Sequence, residues 1–372
     1  MSNQRQLTKI FRTSVILFGL FCIVSAVTIQ PDIATEALLQ DKSMRIGTCL
    51  YRMAWRGDDA FTIKRGDMSE TYFSEAWDEA ANQPKMNIWN PVFIEELAPY
   101  SHIRFVSWNN ATRSHTEKWE ERRLPGDPAQ RDGFEFAYEW QIDLVNRTNK
   151  DPWICVPPRA DDHYMTELAK LIKVRLNKNL YIYLEYSNET WGLPDPHQYC
   201  IKEGKRLKTP GNTDRTIAEA FSTYRSLQMF TIFEQVFGTE KNRLIKVVCT
   251  QAEWLTPFDQ SYGAIINSSH WNPDKQKPDM LCVAPYVGGG VDGGSVTVGD
   301  DFRKELIKNV DFIRQGKLLA DKYGLRFGTY EGGQGAYPND YEHWGAKQYT
   351  GESLETAHKY RALLDWAQEH TH

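Results

Sequence analysis

Short apolar runs and longer amphipathic stretches take turns along most of this chain. His102-Ile-Arg-Phe-Val-Ser-Trp108 reads as a strand, and 133–148 as an amphipathic helix. Trp153-Ile-Cys-Val-Pro157 is the next strand. Asp162 is placed to cap a helix over 163–177, in which Met165, Leu168, Ala169, Ile172 and Leu176 share one face. The strand at 180–186 is dense in aromatic and β-branched residues, which suit a buried pleat. A polar excursion rich in Pro and Gly then runs to about Asn212. Asp214 opens a long helix to Phe237, closed by Gly238. Strands follow at 244–249 and 280–287, the second trailed by a glycine-rich loop at 288–294. A helix starting at Asp300 or Asp301 reaches Tyr323 and ends at Gly324. The strand 325–330 and a last helix over 353–370 complete the pattern.

Continuous apolar strands alternating with helices predict parallel strands covered on both faces. Six clear strand–helix units exceed a flavodoxin-like domain and fit most of a (β/α)8 barrel. The expected fold class is therefore α/β, a TIM-like barrel incomplete at its C-terminal end. Residues 44–53 supply its first strand, and 51–68 reads as a β-hairpin turning at Gly57-Asp58. The expected organisation is a signal peptide at 1–26, a β-rich region at 27–86 and the barrel at 87–372.

Composition narrows the function classes. A formal charge of −5 gives no electrostatic reason to bind nucleic acid or anionic lipid. Twelve Trp and 18 Tyr in 372 residues offer many flat faces for sugar rings, although a large barrel core also absorbs aromatics. Arg5, Lys9 and Arg12 precede an apolar run at 14–24, and Val24-Ser25-Ala26 offers a cleavage site. That run is short against the roughly 20 residues of a membrane span. The expected location is secreted or cell-surface, with membrane attachment only if this segment stays uncleaved.

Cys155, Cys249 and Cys282 fall in strand-like runs as small buried hydrophobes, which leaves Cys49 and Cys200 as the disulfide candidates. No Cys-x-x-Cys, His-Glu-x-x-His or Gly-x-Ser-x-Gly occurs, and the 288–294 glycines do not make a dinucleotide fingerprint. Asp292 and Asp300-Asp301 lack calcium-ligand spacing. No metal, cofactor or nucleotide is expected.

The candidate chemistry lies at two strand ends. Ser187-Asn188-Glu189 follows the strand 180–186, and Glu331-Gly332-Gly333 follows the strand 325–330. In a parallel barrel such ends converge on one mouth. Retaining glycoside hydrolysis needs one carboxylic acid to protonate the leaving oxygen and a carboxylate about 5–5.5 Å away to attack the anomeric carbon. Glu185 alternates to the other side of its strand from Tyr186 and reads as structural.

Ser187-Asn188-Glu189 after one strand and Tyr330-Glu331-Gly332 three strands later resemble the clan A glycoside hydrolases, whose glutamates end strands four and seven of a (β/α)8 barrel. The resemblance implies Glu189 as acid/base, Glu331 as nucleophile and Asn188 as a hydrogen-bond partner of the sugar 2-hydroxyl. Arg104 looks like the clan's strand-two arginine beside the nucleophile, and Tyr286 like its strand-six tyrosine. More locally, Ile103-Arg-Phe-Val-Ser-Trp108, Pro152-Trp-Ile-Cys-Val-Pro157 with Asp161-Asp162-His163-Tyr164, and Tyr183-Leu-Glu-Tyr-Ser-Asn-Glu-Thr-Trp191 resemble a family of secreted bacterial proteins often labelled cellulose-binding or hypothetical. That likeness spans roughly 88–335.

Around the carboxylates, Trp108, Trp191 and Trp254 follow strands at the expected mouth, where indoles stack on pyranose faces. Arg159 and His163 sit where they could touch sugar, and Gln251 and Gln334 could donate to hydroxyls. The expected partner is a β-linked polysaccharide or oligosaccharide, cleaved with retention. A carbohydrate-binding barrel without catalysis is the competing expectation.

Overall fold

The computed structural model describes residues 47–49, 60–62, 69, 71–128, 130, 135–287 and 298–334. The expected signal segment, most of the 51–68 hairpin, the 288–294 glycine loop with Asp292, and the 353–370 helix lie outside these residues. So do the side chains of Cys49, Asp300, Asp301 and Gln334. The chain divides into two compact units. The larger takes in the described residues of 47–282 together with Leu319–Phe327, and the smaller those of 283–318 and 328–334.

In chain order, β1 (Gly47–Cys49) and α1 (Tyr72–Ala76) precede an antiparallel pair, β2 (Trp77–Asp78) and β3 (Gln83–Pro84). Next come α2 (Pro91–Glu96), β4 (His102–Arg104), α3 (Tyr138–Thr148), β5 (Asp151–Val156) and α4 (Asp162–Arg175). The middle of the chain holds β6 (Ile182–Tyr186), α5 (Pro194–Leu207), α6 (Asp214–Phe237), β7 (Leu244–Thr250) and α7 (Leu255–Ile266). Last are β8 (Met280–Val283), β9 (Tyr286–Val287), α8 (Val298–Lys322), β10 (Arg326–Thr329) and β11 (Gly333–Gln334).

Seven strands form one sheet in the order β1-β4-β5-β6-β7-β8-β10. The sheet is parallel and curled, a half-barrel compatible with a TIM-like α/β fold. Among the described residues β1 and β10 are its edges. Every position of β5 and β6 is buried, as expected where helices cover both faces. The 24-residue α6 packs against α4, α5 and α7 as well as β6 and β7. Phe221, Phe230, Phe233 and Phe237 are among the side chains it buries. No helix among the described residues is long and apolar enough to cross a membrane.

Several elements differ from the sequence pattern for identifiable reasons. The cap of α4 is Asp161, one residue before the expected Asp162. Its extended backbone lets the carboxylate accept from the Tyr164 amide at 2.7 Å. The polar excursion contains α5, whose Pro194 and Pro196 fall in the first turn, where helix amides need no internal partner. Likewise α7 was absent from the expected elements. The strand expected over 280–287 splits into β8 and β9 around Ala284-Pro285, because proline lacks the ladder donor. The strand expected to reach Trp108 stops at Arg104 and gives way to turns. Cys200 is a free thiol buried in α5, so the Cys49–Cys200 disulfide is not formed.

Candidate functional site

In a parallel sheet, residues in register project to the same face, and alternate residues of one strand share it. Arg104 stands in register with Trp153, and Trp153 with Tyr183. Cys155 stands in register with Glu185. One face of β4, β5 and β6 therefore collects these side chains around the Glu185 carboxylate. Arg104 Nε donates to Oε2 at 2.9 Å and Nη2 to Oε1 at 2.8 Å. Trp153 Nε1 donates to Oε2 at 2.7 Å, and the Cys155 thiol to the same oxygen at 3.3 Å. The Trp153 and Tyr183 rings stack at 5.0 Å. Glu185 is the acid that Arg104 grips. The guanidinium expected beside the nucleophile binds Glu185 of β6 through Nε and Nη2. Its Nη2 also donates to Asn188 Oδ1 at 2.8 Å, which leaves the Asn188 amide nitrogen as the group able to donate to a ligand.

Beyond β6 the backbone turns sharply. Ser187 has φ 59° and Glu189 φ 46°, left-handed conformations that side-chain-bearing residues seldom adopt. Each costs on the order of 1 kcal/mol and persists only where surrounding bonds hold it. Here the Ser187 amide donates to the Val156 carbonyl at 2.7 Å and its hydroxyl to the Ala111 carbonyl at 3.1 Å. The Glu189 carbonyl accepts from the amides of Gly192 and Leu193, both at 3.1 Å. Glu189 is half-buried and lines a cavity of about 20 Å³, room for roughly one water. Trp191, Glu185, Cys249 and Phe258 share the wall.

The same wall includes Glu219 of α6, which the sequence reading missed. Its side chain is only 2% exposed and lies 3.4 Å from Arg215 Nε, one helical turn earlier. Neither carboxylate oxygen has a hydrogen-bond partner, nor do Arg215 Nε and Nη2 or the Thr250 hydroxyl. Burial pushes the Glu219 carboxyl up to about 7, against the opposing pull of the Arg215 charge. The visible sequence signal was an Arg and a Glu four apart on a helix that otherwise buries Ala218, Ala220 and Phe221. Arg215 also joins two expected ligand-binding residues. Its Nη1 donates to Gln251 Oε1 at 3.2 Å, and its guanidinium lies 5.1 Å from the ring of Trp254, which is 52% exposed.

Trp108 requires correction. It is 3% exposed and stacked on Trp89 at 6.1 Å between Phe105 and Phe136, so it fills the core rather than facing a sugar. His163 stands on the exposed first turn of α4, 3.5 Å from Glu120, and Arg159 lies over the Tyr199 ring. Neither borders the Glu189 cavity. Glu331 and Tyr286 belong to the smaller unit. There the β9–β11 pairing sets Tyr286 opposite Gly333, two residues past the half-buried Glu331. The Tyr330 amide donates to the Val283 carbonyl at 3.1 Å. Among the described residues no group of three His, Cys, Asp or Glu could hold a metal ion.

Comparison with protein-family models, with curated proteins and with solved structures finds no match for this chain.

Proposed function

We propose that this chain is a retaining glycoside hydrolase acting on a β-linked polysaccharide or oligosaccharide. The observation that carries the reading is strand position. β6, which ends just before Ser187-Asn188-Glu189, is fourth in the sheet, and β10, which ends just before Tyr330-Glu331, is seventh. Strained backbone at Ser187 and Glu189 adds weight, since such conformations gather at sites that need a side chain held in place. The proposal extends the half-barrel to a (β/α)8 barrel whose mouth brings the two glutamates together.

Glu189 would protonate the glycosidic oxygen while the Glu331 carboxylate attacks the anomeric carbon. The C–O bond to the leaving group breaks, the alcohol departs, and a glycosyl ester forms on Glu331. Glu189, now a carboxylate, takes a proton from water, whose oxygen displaces Glu331 and restores both residues. Asn188, its amide oxygen held by Arg104, would donate to the 2-hydroxyl. Trp254 would stack on a sugar ring, whereas the expected stacking of Trp191 is corrected by its burial at 8% exposure in the wall of the small cavity; Gln251 would meet a hydroxyl, and Tyr286 would lie near Glu331.

The test is turnover of a substrate that the wild type cleaves. Glu331→Gln should lower kcat at least about a thousandfold, some 4 kcal/mol of barrier, with an unchanged circular dichroism spectrum. Full activity in that variant would overturn the nucleophile assignment. The competing reading is a carbohydrate-binding barrel without catalysis. That reading requires glycan affinity in calorimetry and no product from the wild type.

A further inference from the structure

The Glu189 cavity has a second acid in its wall. Glu219 presents there a carboxyl with no hydrogen-bond partner, 2% exposed and shut off from bulk solvent. Burying such a group without a hydrogen bond is costly, and a polar cavity with room for about one water is where that bond is recovered. Glu189 borders the same small space. Both residues therefore border the space that a single water would fill. The hydroxyl side chains of Ser222, Thr223 and Ser226 add polar wall on the α6 side.

We infer that Glu219 is a positioning residue for the acid/base glutamate, with one water bridging the two carboxyls so that the charge on Glu219 governs when Glu189 holds its proton. The role assigned to Glu189 rests on the glycosidase reading; the bridge between the carboxyls does not. The ionisable groups around Glu219 are few. Glu185 and Tyr186 of β6, Glu189 beyond it and Cys249 of β7 face it across the cavity. Arg215 is the cation beside it on α6. Among the described residues α7 adds the apolar Phe258 to the wall, and α4 and α5 add no residue. Glu185 has its charge matched by Arg104. Glu219 is also placed to respond near neutral pH, because burial has raised it to about 7.

Where Glu219 is ionised, as pH passes about 7, its charge discourages ionisation of a neighbouring carboxyl. Removing its charge should therefore let Glu189 lose its proton at lower pH, by about one unit for charges roughly 7 Å apart at an effective dielectric of about 30. Infrared titration of the full chain reads this directly. The protonated-carboxyl band that disappears in Glu189→Gln belongs to Glu189. In Glu219→Gln its midpoint should fall by that amount. Glu219→Leu removes the same charge, should move it the same way and serves if the first variant does not fold. A Glu189 midpoint that stays put in the folded variants overturns the inference. The readout needs no turnover. No product from the wild type together with a shifted Glu189 midpoint would defeat the glycosidase reading while upholding the coupling.

Discussion

At the scale of single residues, Arg104 and Glu185 bear the largest expected effect. Both are almost wholly enclosed, and each charge left water for the other. Such a pair gains little net stability, yet removing one partner strands a buried charge. Arg104→Met should destabilise the protein by about 3–5 kcal/mol in chemical denaturation, and pairing it with Glu185→Met should recover much of that loss. A cost below about 1 kcal/mol for the single variant would mean that water reaches the pair. Glu219 makes the second prediction. Its folded-state pKa of about 7 lies above the ordinary 4.5, so the folded protein holds this proton more tightly than the unfolded chain. That contribution is full below pH 4.5 and is lost as pH rises towards 7. Wild type minus Glu219→Gln should decline over this window by an amount on the order of 3 kcal/mol, measured by denaturant titration at each pH. A flat difference would show that Glu219 is solvated. The sequence could not show either case, since Arg104 meeting Glu185 depends on strand register and Glu219 bordering the same cavity as Glu189 depends on how α6 packs on the sheet.

Elements were legible in proportion to their local consistency. The Asp214 start and the closing Gly238 placed both ends of α6, Asp214 and Phe237, where the structure has them. The strands β5, β6 and β7 were visible as apolar runs because most of their positions on both faces are buried. What escaped was α5, where proline in a first turn looks like proline in a loop, and the boundary of α4, where two adjacent aspartates compete for one cap. Thermal or denaturant unfolding can separate those aspartates. Asp161→Ala should cost about 1 kcal/mol through the lost bond to the Tyr164 amide. Asp162→Ala loses an ion pair to Arg225 on the protein surface and should cost a few tenths. The reverse order would put the cap back at Asp162.

For the molecule as a whole, the alternation of strands and helices foretold the layer architecture, and the parallel sheet follows from it. The candidate site was legible only where function sits in a short motif. Ser187-Asn188-Glu189 and Tyr330-Glu331 stand at strand ends that could be counted from the sequence. Trp108 misled because an indole after a strand looks the same whether it closes a core or lines a mouth. The central claim is that Glu189 and Glu331 work as a pair across the carboxyl ends of the fourth and seventh strands. The separation of their carboxyl carbons in a crystal of this protein tests it most directly. About 5–5.5 Å is the predicted result, the spacing of direct attack, and anything well beyond the 9.5 Å limit of two-carboxylate glycosidases would contradict it.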